Sequence, residues 1–215
     1  MILRCSSKMA NEVVLGELGW WTLKARRDLL RLKFWGKIVS RMSSSRLVKQ
    51  VYAYSRARYE AGKISKWCQY THTLLQQLGM EEIWQQGPPQ DMKKWDKDLR
   101  EKIQEREQKE WIERMKTKTK LRTYITLKNE LKFESYLSHD DTEAREIMTR
   151  LRGGTNELKI ETGRYPNTNR DRRLEEHERI CLLCLSGEIE NEKHFVMDCR
   201  EYVDLRKKMF DVEEE

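Results

Sequence analysis

Cys181, Cys184, His194 and Cys199 spell C-x2-C-x9-H-x4-C within the stretch CLLCLSGEIENEKHFVMDC. Three thiolates and one imidazole satisfy a single tetrahedral Zn²⁺. The pattern commits this part of the chain to a tight CxxC turn and a following element that returns the histidine and the last cysteine. Three of only 5 cysteines and one of only 4 histidines fall here. The rival reading is two buried thiols and an incidental pair, because a free cysteine often acts as a small core residue. The clustering favours metal. With four protein ligands no coordination position stays open, which is the arrangement of a structural zinc and not of a catalytic one. Glu192 lies ahead of His194, whereas zinc deaminases place their glutamate after the ligand histidine and before a P-C-x-x-C pair. Deamination is therefore excluded. Glu192 reads as a solvated loop carboxylate, with at most a part in orienting a ligand.

The rest of the chain points to helices. Hydrophobic residues make up 38% and charged residues 37% of 215, with only 3 Pro and 10 Gly. Buried surface must then come from narrow apolar stripes on solvated elements rich in Lys, Glu, Leu, Arg and Gln. The expected fold class is mainly α: a helical domain with a long charged helix and a small C-terminal CCHC zinc knuckle. No apolar run approaches membrane-spanning length. The opening MILRCSSKMANEVV lacks an apolar core followed by a small-residue cleavage site. The cysteine pattern fits a reducing compartment, so a nuclear or cytoplasmic location is expected, with Cys5 and Cys68 as free thiols.

Periodicity places the elements. Thr22 caps a helix that ends at Ser43-Ser44-Ser45, with Leu23, Leu30, Phe34, Ile38 and Met42 as its apolar stripe and Leu29, Trp35 and Val39 widening it. A second helix over about 46–61 stops at Gly62, with Leu47, Val48, Val51 and Tyr52 on one side. A third over about 65–78 ends at Gly79 and buries Trp67, Tyr70, Leu74 and Leu78; His72 beside that face reads as a satisfied histidine. Five tryptophans (Trp20, Trp21, Trp35, Trp67 and Trp84) have the faces to stack on bases, but helical placement favours core packing for most. After Gln86-Gly87-Pro88-Pro89, Asp91 caps a long helix to about Lys116 along the seam Met92, Trp95, Leu99, Ile103, Trp111 and Met115. Charge pairs such as Glu105–Lys109 line its outer faces. A helix over about 121–137 buries Tyr124, Leu127 and Leu131. Ser138 or Asp140 then caps a helix closing near Arg152, and a last helix runs near 201–210. An N-cap in a turn explains Asp140-Asp141 without any polymerase metal site. No phosphate loop, nucleophile elbow or HExxH helix is present.

Three segments follow: a basic helical segment over 1–86, a charged helical spacer over 87–152, and an arginine-rich segment with the knuckle and closing helix over 153–215. Residues 1–70 hold 15 Lys and Arg against 4 Asp and Glu, while residues 151–215 hold 12 against 16. The basic first third attracts polyanions by Coulomb force and counterion release. Lys24, Arg26, Arg27, Arg31, Arg56 and Arg58 form one candidate nucleic-acid surface. Arg164, Arg170, Arg172, Arg173 and Arg179 form another, since guanidinium groups match phosphate geometry. Cys181 to Cys199 itself carries a net −3 and is poorly suited to grip phosphates.

LRGGTNELKIETGRY, ERICLLC and ENEKHFVMDCREYVDLRKKMF together resemble the C-terminal end of LINE-type non-LTR retrotransposon reverse transcriptases. Upstream, VLGELGWWTLKARRDLLRLKFWGKIV and WCQYTHTLLQQLGMEEIW resemble the stretch that follows the polymerase in that family, so the likeness covers most of the chain. It implies a tail that helps bind template RNA or target DNA, with other element-encoded protein as a further partner. Neither the endonuclease nor the [FY]ADD polymerase loop of such elements is here. The nine residues between Cys184 and His194 also exceed the four of retroviral gag knuckles, so their mode of RNA reading does not transfer. A pattern recognisable from Met1 onward carries the expectation of a truncated copy or an element remnant. The expected function is a non-catalytic RNA- or DNA-binding tail with structural zinc, no membrane and no small-molecule substrate. The alternatives are a zinc-stabilised protein-interaction module and a nonfunctional remnant.

Overall fold

The computed structural model describes residues 7–166 and 170–211; Cys5 lies outside them. In chain order the helices are α1 (Asn11–Leu18), α2 (Leu23–Ser40), α3 (Leu47–Glu60), α4 (Lys66–Gln77), the single turn α5 (Ile83–Gln86), α6 (Met92–Lys116), the single turn α7 (Tyr124–Leu127), α8 (Thr142–Arg152), the single turn α9 (Lys159–Thr162) and α10 (Val203–Asp211). Among the described residues the extended pairing that joins neighbouring segments is limited to isolated bridges such as Ile180 with Ile189. The protein is mainly helical, with one long helix and a Cys/His cluster near its C-terminal end. It divides into two compact units, residues 20–113 and residues 1–19 with 114–215. The turn at Gly87-Pro88-Pro89 lies within the first of these.

In the 20–113 unit, Thr22 caps α2 by accepting the Ala25 amide at 3.2 Å. The core is built from Leu29, Leu32, Trp35 and Ile38 of α2, Cys68, Leu74 and Leu75 of α4, Trp84, and Trp95, Leu99 and Ile103 of α6. Trp35 stacks on Trp84 with ring centroids 6.0 Å apart, and its indole N–H donates to the Tyr52 hydroxyl at 3.0 Å. These rings are packing residues. His72 stacks on Trp84 and shares a 3.0 Å hydrogen bond with Tyr59, which makes it the satisfied histidine that the sequence suggests. A Cβ at Gly36 would lie 2.5 Å from Trp95 Nε1, so only glycine lets α6 seat its indole on α2. One buried carboxylate, Asp28, accepts from Arg106 at 2.6 Å and from the Tyr70 hydroxyl at 2.8 Å.

Several expected faces are corrected. In α2, Leu23, Leu30 and Phe34 are exposed, and the buried stripe runs through Ala25, Leu29, Leu32, Trp35 and Ile38. In α3, Leu47, Val48 and Val51 are exposed and Tyr52 is its buried residue. Tyr70 of α4 lies largely outside the core, with Cys68 and Leu75 inside. The seam of α6 holds: Trp95, Leu99, Ile103, Trp111 and Met115 are all buried. Its cap holds too, with Asp91 Oδ1 accepting the amides of Lys93 and Lys94.

In the other unit, the expected helix over 121–137 is instead a 3-10 turn, α7, an extended stretch and a second 3-10 turn. The physical reason is tertiary. The Glu134 amide donates to the Glu17 carbonyl at 3.0 Å, and a Cβ at Gly19 (φ 62°) would meet the Phe133 nitrogen at 2.6 Å. The C-terminal end of α1 therefore holds residues 132–134 against itself and away from a helical path. Leu127, expected inside, is exposed, while Tyr124 is buried. The cap of α8 is Asp141, one residue past the expected Asp140; its carboxylate accepts the amides of Glu143 and Ala144. Glu17 is fully buried and is compensated by Arg152 at 3.1 Å and the Tyr136 hydroxyl at 2.6 Å.

Candidate metal centre

A short hairpin delivers the first two cysteines. Glu190 N–H donates to the Arg179 carbonyl and Cys181 N–H to the Glu188 carbonyl, both at 2.8 Å. Between these rungs the chain turns tightly through Leu185 (φ 52°) and Gly187 (φ 76°). Leucine in the left-handed region is strained by its Cβ, so the loop is held in shape from outside. Arg200 supplies one clamp by donating to the Cys184 carbonyl through Nε at 3.1 Å and through Nη2.

A π-helical turn over His194–Asp198 delivers the other two donors. Asn191 Oδ1 accepts the His194 amide at 2.8 Å, and Cys199 N–H donates to the His194 carbonyl at 2.7 Å. The extra residue of the π turn is what places an x4 spacing on one side. The donor atoms of Cys181, Cys184, His194 and Cys199 all lie within 4.8 Å of one another, and all four residues are buried. Cys184 Sγ and His194 Nε2 are 3.4 Å apart, near the ~3.5–3.8 Å that ligands of a tetrahedral ion keep from each other. The set can hold a metal ion.

Electrostatics suit a cation. Hydrogen bonds from the Ser186 hydroxyl and amide hold the Cys184 thiol well below the ordinary thiol range, which favours the thiolate that ligates metal. Burial pushes Cys199 up. His194 turns Nε2 toward the sulfurs, and its buried Nδ1 faces Glu188 Oε2 at 4.0 Å. At that distance the carboxylate makes no hydrogen bond with Nδ1, which has no hydrogen-bond partner among the described residues.

Glu192 is not the solvated carboxylate expected. It is buried, and it accepts from Arg122 Nη2 at 2.9 and 3.1 Å, Thr123 Oγ1 at 2.8 Å and Asn156 Nδ2 at 3.1 Å. Arg122 also donates to buried Glu161 at 2.9 Å. This network ties the loop before His194 to α7 and α9. Its partners lie 36 to 70 positions away in sequence, so no local signal marks them.

The candidate nucleic-acid residues divide into two kinds. Lys24, Arg26 and Arg27 are exposed on α2, and Arg26 lies over the exposed Trp20 ring at 5.3 Å. Arg31 is half-buried over Tyr70 at 4.4 Å. On α3, Arg58 is exposed and donates to Tyr54, while Arg56 lies over Trp84 and bonds Glu60 and Gln85. The second group is mostly engaged within the fold. Arg164 bonds Glu161 and Thr119, and Arg170 donates to the carbonyls of Arg172 and Tyr165. Arg172 makes a bidentate pair with Glu178 at 2.6 and 2.7 Å. Buried Arg179 donates to the carbonyls of Ile160 and Leu174, a framework role that keeps its guanidinium off the surface. Arg173 is exposed.

Compared with known proteins, the chain matches no family model, no curated protein and no solved structure. No helix among the described residues is long and apolar enough to cross a membrane.

Proposed function

We propose that this chain is a non-catalytic nucleic-acid-binding module whose C-terminal knuckle is set by a structural zinc ion, related to the tail of LINE-type reverse transcriptases. Zinc follows from the donors: three soft thiolates and an imidazole in a closed set suit Zn²⁺ better than oxygen-seeking cations. The observation that carries the binding role is the exposure of Lys24, Arg26 and Arg27 along one helix of the most basic part of the chain. Within α2 the one carboxylate is Asp28, which is buried and bonded to Arg106 and Tyr70, whereas Arg164, Arg170 and Arg172 already have partners. Phosphate contacts are thus assigned to α2 and to Arg58 of α3, and the knuckle acts as a shape-holding element. The kinship rests on the residues quoted for it.

Fluorescence anisotropy with labelled RNA and duplex DNA tests the role. Contact with about six phosphates gives a log–log salt slope near −5 on duplex DNA and about −4 on single strands. A flat response removes the proposal. A protein-interaction role is the second reading, favoured by the exposed Leu182, Leu183 and Leu185 at the tip of the knuckle. Pull-downs that survive nuclease, from protein that retains no oligonucleotide, select it over the first.

A further inference from the structure

Rings as well as cations face outward around α2. Trp20 is 50%, Phe34 46% and Tyr70 41% exposed, and none of them belongs to the buried core around Trp35. Each has a guanidinium group as neighbour. Arg26 lies over the Trp20 ring at 5.3 Å and Arg31 over the Tyr70 ring at 4.4 Å. Phe34 follows Arg31 by three positions on the same helix, close enough for the two side chains to adjoin. Leu23 and Leu30 share the face of α2 that carries Phe34 and are exposed with it. Scattered apolar residues on a surface need no explanation, but a patch of rings does.

The charge around the rings selects a polyanion. Between residues 20 and 80 the carboxylates are Asp28, which is buried, and Glu60, which Arg56 holds at 2.8 Å. Beside α2, α6 brings Asp96, already paired with Lys33 at 2.8 Å. Lys24, Arg26, Arg27 and Lys37 are exposed among the rings. A duplex keeps its base faces stacked inside and offers a protein its phosphates and groove edges. It would satisfy the cations and leave the rings in water. A single strand satisfies both, because its unpaired bases stack on aromatic side chains while its backbone follows the positive charge.

We propose that the ligand of this surface is a single-stranded polynucleotide, with bases stacked on Trp20, Phe34 and Tyr70 and phosphates held by the cations of α2. Single-strand selectivity rests on the nucleic-acid reading above and narrows it.

Fluorescence anisotropy on the full-length, zinc-loaded chain tests it. Oligothymidylate and oligouridylate of about twelve nucleotides, within the site sizes of such surfaces, are compared with a duplex of the same length. Both single strands bind more tightly than the duplex at matched salt, although the duplex carries twice the phosphates. Trp20→Ala weakens single-strand binding by about tenfold, the loss of one base–ring stack. It leaves duplex binding and the salt slope unchanged, because no charge is removed. Trp20→Phe keeps the affinity but loses most of the quenching of tryptophan emission that oligothymidylate causes in the parent. Unchanged circular dichroism and zinc content show that both variants are intact. Duplex binding as tight as that of both single strands, or parental single-strand affinity in Trp20→Ala, overturns the proposal and leaves nucleic-acid binding standing. A chain that retains no oligonucleotide of either kind removes both.

Discussion

Glu192 stands two residues before the ligand His194 and joins the knuckle to the loops that pack against it. Replacing it with glutamine removes the charge that faces Arg122 and leaves that guanidinium with one carboxylate, Glu161. Hydrogen bonds to charged groups contribute about 1.5–3 kcal/mol, and Arg122 is partly exposed, so the lower end applies. Thermal melts of Glu192→Gln are expected to lose about 1.5 kcal/mol, and outer groups of this kind shift metal affinity by ~10-fold. A competition titration against a chromophoric chelator reads the second effect. An unchanged affinity contradicts the coupling.

Arg172 and Glu178 give a test at the same scale. The Arg172 hydrogen bond holds the Glu178 carboxyl down at about 2. A depressed carboxylate stabilises the fold above its ordinary pKa, and that contribution disappears as pH falls through about 2. At neutral pH the pair occupies Arg172. Glu178→Gln is therefore expected to free the guanidinium and raise nucleic-acid affinity at low salt, with the gain vanishing at high salt. No change at low salt means that Arg172 lies away from the bound strand. Single residues are also where sequence reading stopped. The metal donors were legible because all four sit within nineteen positions, whereas the partners of Glu192 are brought in by the fold.

Among the elements, α6 and α2 show why some faces could be read and others not. The seam of α6 is the one apolar stripe on an otherwise charged helix, so periodicity alone selects it. On α2, two stripes satisfy the same period: Ala25, Leu29, Leu32 and Gly36 on one side, Leu23, Leu30 and Phe34 on the other. What decides between them is shape and charge. Gly36 admits the Trp95 indole, and Asp28 must meet Arg106 and Tyr70. The residues 128–134 have ordinary helix formers, yet bonding to α1 overrides propensity there. Gly36→Ala places a methyl carbon against Trp95 and is expected to cost about 1–3 kcal/mol, the usual range for overpacking a core. Urea denaturation followed by tryptophan fluorescence measures it. A neutral substitution contradicts the close α2–α6 approach.

At the scale of the whole molecule, the proposed binding surface and the proposed shape-holding ion lie on different parts of the chain. Charge reversal at Lys24, Arg26 and Arg27 lowers nucleic-acid affinity uniformly across sequences and flattens the salt slope by roughly 0.9 per phosphate lost on duplex DNA, while zinc content stays the same. Removing the ion does the reverse in structure: zinc supplies on the order of 10 kcal/mol of folding free energy to small zinc domains. The knuckle residues then become protease-sensitive while the 20–113 unit, whose core owes nothing to the four ligands, keeps its resistance.

The proposed zinc centre closes Cys181, Cys184, His194 and Cys199 around one ion. Elemental analysis coupled to native mass spectrometry of the full-length chain, purified without chelator, tests it most directly. One zinc per chain is expected, and none in Cys199→Ser; a chain that carries no metal with all four donors intact, or the same metal content in both proteins, rules the zinc centre out.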